Sequence, residues 1–350
     1  MRGNIPRLRL AGGPSERGHT HGQQRAKGIT HYAADRVSLA ASGSWAGRVI
    51  TRADALDLAH RMLPAHRAYA PDLTAEMDAL AVAAGISTEE ALILGGFTDF
   101  VDAVRGGAGP WEDDCTAALI PAARAGEPWL VQTWDMHDSA TDHVLLLELA
   151  PNDGPAARVF TTEGCLGQIG MNEHGITIGI NNLTASDGRV GVTWPHVVRK
   201  ALQARTLDAA LQAVVTAPVA GGHAFLLLDA HGDGYEVEAM PTTTAVTRLT
   251  GDVLVHTNHA LDGAVLRRQA VRPADLMASS VARRAQGLHL LTEGAIDVAR
   301  LMAWTADPTL CRRPEAPHHL ETSGAVIVRP RTGEMWCCWG RPDEAQWELA

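Results

Sequence analysis

A loop rich in glycine and proline, Gly106-Gly-Ala-Gly-Pro-Trp-Glu-Asp-Asp114, divides this 350-residue chain into two differently patterned parts. Before it, apolar residues recur at helical spacing; after it they run in strand-length blocks. Asp72–Gly85 reads as a helix closing on a glycine suited to a left-handed end. Ser87-Thr-Glu-Glu90 reads as a capping box that opens the next helix through Leu94. Residues 1–114 are therefore expected to be mostly helical, with 106–114 an exposed loop. Downstream, Cys115–Ile120 and Trp129–Trp134 are expected to pair as a hairpin. Further strands are expected at His143–Leu149, Arg158–Thr161, Ile176–Asn181, His223–Ala230, Tyr235–Met240 and Val253–His256. Helices are expected at about 194–216 and 272–304, and a last hairpin at Gly324–Arg329 and Glu334–Gly340. Alternating groups of strands and helices predict an α+β chain with two antiparallel sheets packed together and flanked by helices.

With 46% hydrophobic and 20% charged residues the chain can bury a large core. Thirty basic against forty acidic side chains give a net charge of −10, the wrong sign for a nucleic-acid partner. The five cysteines are scattered and odd in number, so no disulfide framework is expected. No signal-type apolar stretch opens the chain, and no run of about 18 apolar residues occurs anywhere. A cytoplasmic location without a membrane partner is the resulting expectation. Lys27 and Lys200 are the only lysines, and neither follows a phosphate-binding glycine loop. His256 and His259, His19 and His21, and His318 and His319 are close pairs, but none has the spacing of a metal site, so no metal or cofactor is expected.

Cys115 is the residue with the most distinctive position. Position alone leaves two readings: a buried cysteine that starts a strand, which is the commoner case, or a nucleophile released by cleavage of the preceding bond. An N-terminal cysteine would carry a thiol beside an α-amine titrating near ~7.7–8.0. That amine can act as general base for its own thiol without a histidine partner.

Several ordered segments extend this second reading. Gly12-Gly-Pro-Ser-Glu-Arg-Gly18 with His21-Gly22, Glu76-Met-Asp-Ala-Leu-Ala81, Asp114-Cys115-Thr116, and Gln132-Thr-Trp-Asp135 come first. Thr162-Glu-Gly164, Gly170-Met-Asn172 through Gly175 to Asn181, Val255-His-Thr-Asn-His259, Cys311-Arg312, Gly324-Ala325 and Gly340-Arg-Pro342 follow. In order and spacing they resemble the acyl-coenzyme A:6-aminopenicillanic acid acyltransferase family, a branch of the N-terminal nucleophile (Ntn) hydrolases. The resemblance implies an Ntn αββα sandwich forming one domain over 1–350. It also implies self-cleavage between Asp114 and Cys115, leaving 1–114 and 115–350 held together noncovalently.

By the same resemblance Cys115 is the nucleophile, Asn258 an oxyanion donor, and the backbone N–H near Asn181 a second donor. Asp135 orients the new amine. Trp134 and His137 are candidates beside the substrate, as is Arg283 by similarity to the bile-salt hydrolases. On pattern alone, Arg283 next to Arg284 is expected on a solvated helix face, and Asp135 is open to being a surface turn residue. The implied activity is cleavage of an amide in an N-acylated small molecule or peptide-like metabolite through an acyl-thioester on Cys115. Acyl transfer from acyl-CoA to an amine is the alternative, as is an unprocessed, non-catalytic binding homologue. Asp114 stands where the family's best-known member has glycine, and Thr322-Ser323 where it has Ser-Arg, so that member's substrate is not carried over.

Overall fold

A computed structural model of the chain describes residues 3–105, 114–315 and 319–350. The loop expected at 106–113 and the histidine at 318 lie outside them. The N-terminal part begins with a strand, β1 (Arg7–Gly12), where helix was expected; Arg7 and Arg9 point outward while Leu8 and Leu10 are buried, the alternation of a half-covered strand. Six helices follow: α1 (Pro14–Gln24), α2 (Ala26–Ser42), α3 (Arg52–Tyr69), α4 (Pro71–Ala84), α5 (Thr88–Gly95) and α6 (Phe97–Val104). Gly85 ends α4 at φ 76°, and Ser87 caps α5 by accepting the Glu90 N–H, both as the sequence predicts. In α1, Gly18 and Gly22 lie against α4. A Cβ at Gly18 would stand 2.0 Å from the Glu76 carbonyl oxygen, so only glycine permits this approach.

The expected hairpin forms as β2 (Thr116–Ile120) and β3 (Trp129–His137), joined through the short α7 (Ala122–Ala125). Then come β4 (Val144–Pro151), β5 (Ala157–Thr162), β6 (Ile169–Asn172) and β7 (Thr177–Asn182). The helical sequence at 194–216 is two helices, α8 (Trp194–Leu202) and α9 (Leu207–Val215), the second capped by Thr206. β8 (His223–Leu228), β9 (Gly234–Met240), β10 (Thr243–Arg248) and β11 (Leu254–His256) precede α10 (Gly263–Leu266), α11 (Ala274–Thr292) and α12 (Val298–Thr305). The last hairpin, β12 (Leu320–Arg329) and β13 (Glu334–Trp339), is followed by β14 (Trp347–Leu349).

These strands make two sheets, one of order β1-β4-β5-β6-β7-β8-β9-β10 and one of order β11-β2-β3-β12-β13-β14. The first is not wholly antiparallel, because β1 joins its edge parallel to β4. β2 and β3 face β7 across the interior, α8 and α9 cover the outside of the eight-stranded sheet, and α11 and α12 cover the outside of the six-stranded one. This is the αββα layering expected of an Ntn hydrolase. Gln132 on β3 stitches the sheets, donating to the Ile180 carbonyl at 2.5 Å and accepting the Ile180 N–H at 3.0 Å.

The period of two along β2 separates the chemistry. Cys115, Ala117 and Leu119 join the core between the sheets. Ala118 and Ile120 join the second core, which Val131, Val255, Leu291, Leu301 and Trp304 build beneath α11 and α12. No helix among the described residues is long and apolar enough to cross a membrane.

Candidate active site

The register Thr116–Thr133 of β2 and β3, extended backward, sets Cys115 opposite Trp134 and Asp114 opposite Asp135. Cys115 thus faces the space between the sheets, while Asp114 and Thr116 face α11. Cys115 is 4% exposed, and its Sγ–H donates to the Asp135 backbone oxygen at 3.7 Å.

Asp114 is fully buried, which corrects the expectation of an exposed loop up to that residue. The reason is charge pairing. Its Oδ1 accepts from Arg283 at 2.8 Å and Arg272 at 3.4 Å. Its Oδ2 lies 3.3 Å from an Arg312 nitrogen and accepts from the Ser279 hydroxyl at 3.3 Å. Arg272 stands just before α11, Ser279 and Arg283 lie on it, and Arg312 follows α12. A carboxylate is held out of water only with partners of this kind.

Arg283 is 1% exposed, not on a solvated helix face. Besides Asp114 it donates to the Cys115 carbonyl at 2.7 Å, the Thr116 hydroxyl at 2.9 Å and Asn258 Oδ1 at 3.0 Å. It therefore grips both sides of the Asp114–Cys115 bond. Its neighbour Arg284 turns to the Val255 carbonyl at 3.1 Å.

Asn258 is buried just beyond β11. Ser280 on α11 accepts its backbone N–H at 2.9 Å, and its Nδ2 donates to the Asn182 carbonyl at 3.1 Å. Because Arg283 fixes which end is oxygen, the amide nitrogen is turned toward β7. Asn181, also buried, shares the inward face of β7 with Gly179, whose hydrogen meets Gln132 and Leu130 of the opposite sheet. Neither its Nδ2 nor its Oδ1 has a hydrogen-bond partner. The Leu183–Gly222 bond and the ladder below it direct the Asn181 backbone N–H toward Ala224 on β8. The side-chain amide is thus the Asn181 donor aimed into the sandwich.

Asp135 is buried on β3 and not at a surface turn. The Thr322 hydroxyl donates to its Oδ1 at 2.7 Å, while Oδ2 has no partner. Burial pushes its carboxyl up to about 7, against the pull of Arg283 and with some help from Asp114. Trp134 lies on the same face as Cys115, edge-on to Phe160. His137, half-buried at the end of β3, is bonded to Ser139 at 2.9 Å and paired with Asp138. Its contacts are with Ser139, Asp138 and the His319 ring, apart from the group around Arg283.

Sequence reasoning missed Arg272, Ser279 and Ser280, which carry no local signal; Arg312 and Thr322 stood in segments singled out for other reasons. The close histidines at 256 and 259 have separate partners. His256 Nε2 meets Glu238 at 2.9 Å, and His259 Nδ1 meets the Ser280 hydroxyl at 2.7 Å. Burial pushes His259 down to about 4. Among the described residues no three His, Cys, Asp or Glu side chains are grouped to hold a metal ion. Burial raises the thiols of Cys165 and Cys311 to about 11 and 12, which keeps them protonated and unreactive.

Comparison with known proteins adds to this geometry. The "40 kDa form" of acyl-coenzyme A:6-aminopenicillanic-acid-acyltransferase from Emericella nidulans is 24% identical over 284 residues, 80% of this chain and 76% of that one. A solved variant of conjugated bile acid hydrolase from Clostridium perfringens superposes with a TM-score of 0.48 at 11% identity, over 67% of this chain and 96% of that one. The N-acylethanolamine-hydrolyzing acid amidase ortholog of Caenorhabditis elegans gives 0.44 at 12% identity, over 62% and 93%. The sequence model of one family, acyl-coenzyme A:6-aminopenicillanic acid acyl-transferase, matches residues 123–344, beginning just after the Cys115 region and spanning well over half of the chain. The chain belongs to that family.

Proposed function

We propose that the chain cuts itself between Asp114 and Cys115 and that the new N-terminal cysteine then cleaves the amide of an N-acylated small molecule or peptide-like metabolite. The observation that carries this reading is the grip of Arg283 on both sides of that bond, with the Asn258 amide attached to the same guanidinium. In self-cleavage the Cys115 thiol attacks the Asp114 carbonyl carbon, the C–N bond breaks, and the thiol proton ends on the released α-amine. Water then hydrolyses the thioester, leaving a carboxylate on Asp114 and a free thiol on Cys115.

In turnover the α-amine takes the thiol proton, the thiolate attacks the substrate carbonyl, the leaving amine departs with that proton, and water then hydrolyses the thioester, releasing the acid and restoring the Cys115 thiol. The amides of Asn258 and Asn181 are the oxyanion donors, and one such donor is worth ~2.7–4 kcal/mol in the transition state. Asp135 lies opposite the position of the new amine and orients it. Trp134 lines the space between the sheets beside Cys115; Arg283 is a positioning residue. The two fragments stay together because β1 pairs with β4 and Glu76 of the first is ion-paired with Arg199 of the second.

Transfer of the acyl group to an amine, with acyl-CoA as donor, is a second reading supported by the name of the Emericella relative. Denaturing mass spectrometry of the purified wild type and Cys115→Ala tests the first reading. Wild type is expected as fragments 1–114 and 115–350, and the variant as one inactive chain. A wild type that remains one chain and leaves amides intact is the binding homologue, and the proposal then fails.

A further inference from the structure

Asp114 shows what its binding site accepts. Its carboxylate fills a pocket made by Arg272, Arg283, Arg312 and Ser279, and the Arg272 and Arg283 side chains are at most 1% exposed. Arg283 and Arg312 are also held apart from Asp114, Arg283 by the Cys115 carbonyl, Thr116 and Asn258, and Arg312 by donating to Ser279 at 3.4 Å. In the uncut chain the carbonyl attacked by Cys115 is that of Asp114 itself. Its carboxylate lies two carbons beyond that carbonyl, which is the connectivity of a succinyl group.

Resting on the self-processing reading above, we propose that the mature enzyme selects acyl groups bearing a terminal carboxylate, with N-succinyl amides as the best fit. Once the Asp114–Cys115 bond is cut, Asp114 is a chain end and its side chain can leave. Three guanidinium groups, two of them buried and Arg312 part-exposed, would then face one another, an arrangement that an anion relieves and an alkyl chain does not. A succinyl amide repeats the geometry of self-cleavage. Its scissile carbonyl takes the place of the Asp114 carbonyl beside Cys115, and its carboxylate takes the place of Oδ1 and Oδ2. The Cys115 sulfur–carbon bond forms as the amide C–N bond breaks, the amine leaves with a proton, and water releases succinate and the thiol. Planar guanidinium pairs read a carboxylate bidentately, so the pocket rejects the uncharged isostere.

The test compares N-succinyl and N-pentanoyl p-nitroanilides on processed enzyme whose two fragments have been verified by mass. The expected kcat/KM ratio favours succinyl by at least about tenfold, the effect of one charge-assisted bond. Arg312→Met, processed to the same two fragments, is expected to lose most of that preference. Equal or better cleavage of the pentanoyl amide by processed wild type overturns the anion pocket while leaving the Cys115 nucleophile intact. An uncut wild type would instead overturn the underlying reading. If neither anilide turns over, calorimetry with succinate decides. Binding to the processed protein and at least tenfold weaker binding to Cys115→Ala, in which Asp114 keeps the pocket filled, support the proposal. Equal binding or none overturns it.

Discussion

At Asp135 the chain keeps a carboxyl group on an inner strand with one oxygen bonded to Thr322 and the other without a partner. Burial raises its pKa to about 7, whereas in the unfolded chain it returns to the ordinary carboxylate range. Below pH 4 both states carry the proton and the group contributes no pH dependence. As pH rises from 4 to 7 the unfolded state releases the proton first, so the native state loses relative stability across that window. In a Cys115→Ala background, which keeps the chain intact, Asp135→Asn is expected to gain in thermal midpoint relative to its parent as pH rises from 4 to 8. A midpoint difference that stays constant with pH would show that the carboxyl is not held protonated by burial. None of this was legible in Gln-Thr-Trp-Asp, because burial of Asp135 depends on α11 and β12, more than a hundred residues away. Arg283 shows the same limit: its neighbour Arg284 made a charged helix face the natural reading, and only the distant Asp114 and Asn258 draw it inward.

Among the elements, α1, α4 and α8 are locked together by one buried acid. Glu76 accepts from Arg17 at 2.9 Å and from Arg199 at 3.0 and 3.1 Å, and all three side chains are buried. Replacing Glu76 by Gln takes the counter-ion from buried Arg199 and leaves Arg17 only the part-exposed Asp153 at 3.3 Å, and is expected to cost ~3–5 kcal/mol in urea unfolding of the uncut Cys115→Ala chain. A loss below about 1 kcal/mol would mean the clamp is dispensable. Here the sequence was partly readable: the glycines around Arg17 and the glutamate on the next segment stood out, and the structure explains them as helix contact and charge clamp. Caps were readable because Ser87 and Gly85 act through bonds to their own neighbours. β10 was not, since its mostly exposed residues gain their order from pairing with β9. β1 did show its Arg-Leu-Arg-Leu alternation, yet six residues before a long helical region gave no hint of a parallel partner at 144–151.

For the whole molecule, the two sheets and their outer helices place the start of β2 where the inner faces of both sheets and the N-terminal half of α11 meet. Residues from β3, β7, α11 and the segments after β11 and α12 all reach that point, which is how it acquires buried amides, an arginine cluster and a buried acid at once. The succession of strands and helices was enough to give two packed sheets flanked by helices, and the order and spacing of the landmark motifs carried the resemblance to the family. The arginine pocket around Asp114 required the folded chain. The most direct measurement is an acid-quenched mass spectrum taken during turnover of an N-acylated amine. A 115–350 fragment heavier by one acyl group, with the added mass on Cys115 after peptide mapping, is the expected result. Amide hydrolysis with Cys115 never acylated, or an uncut chain, would contradict it.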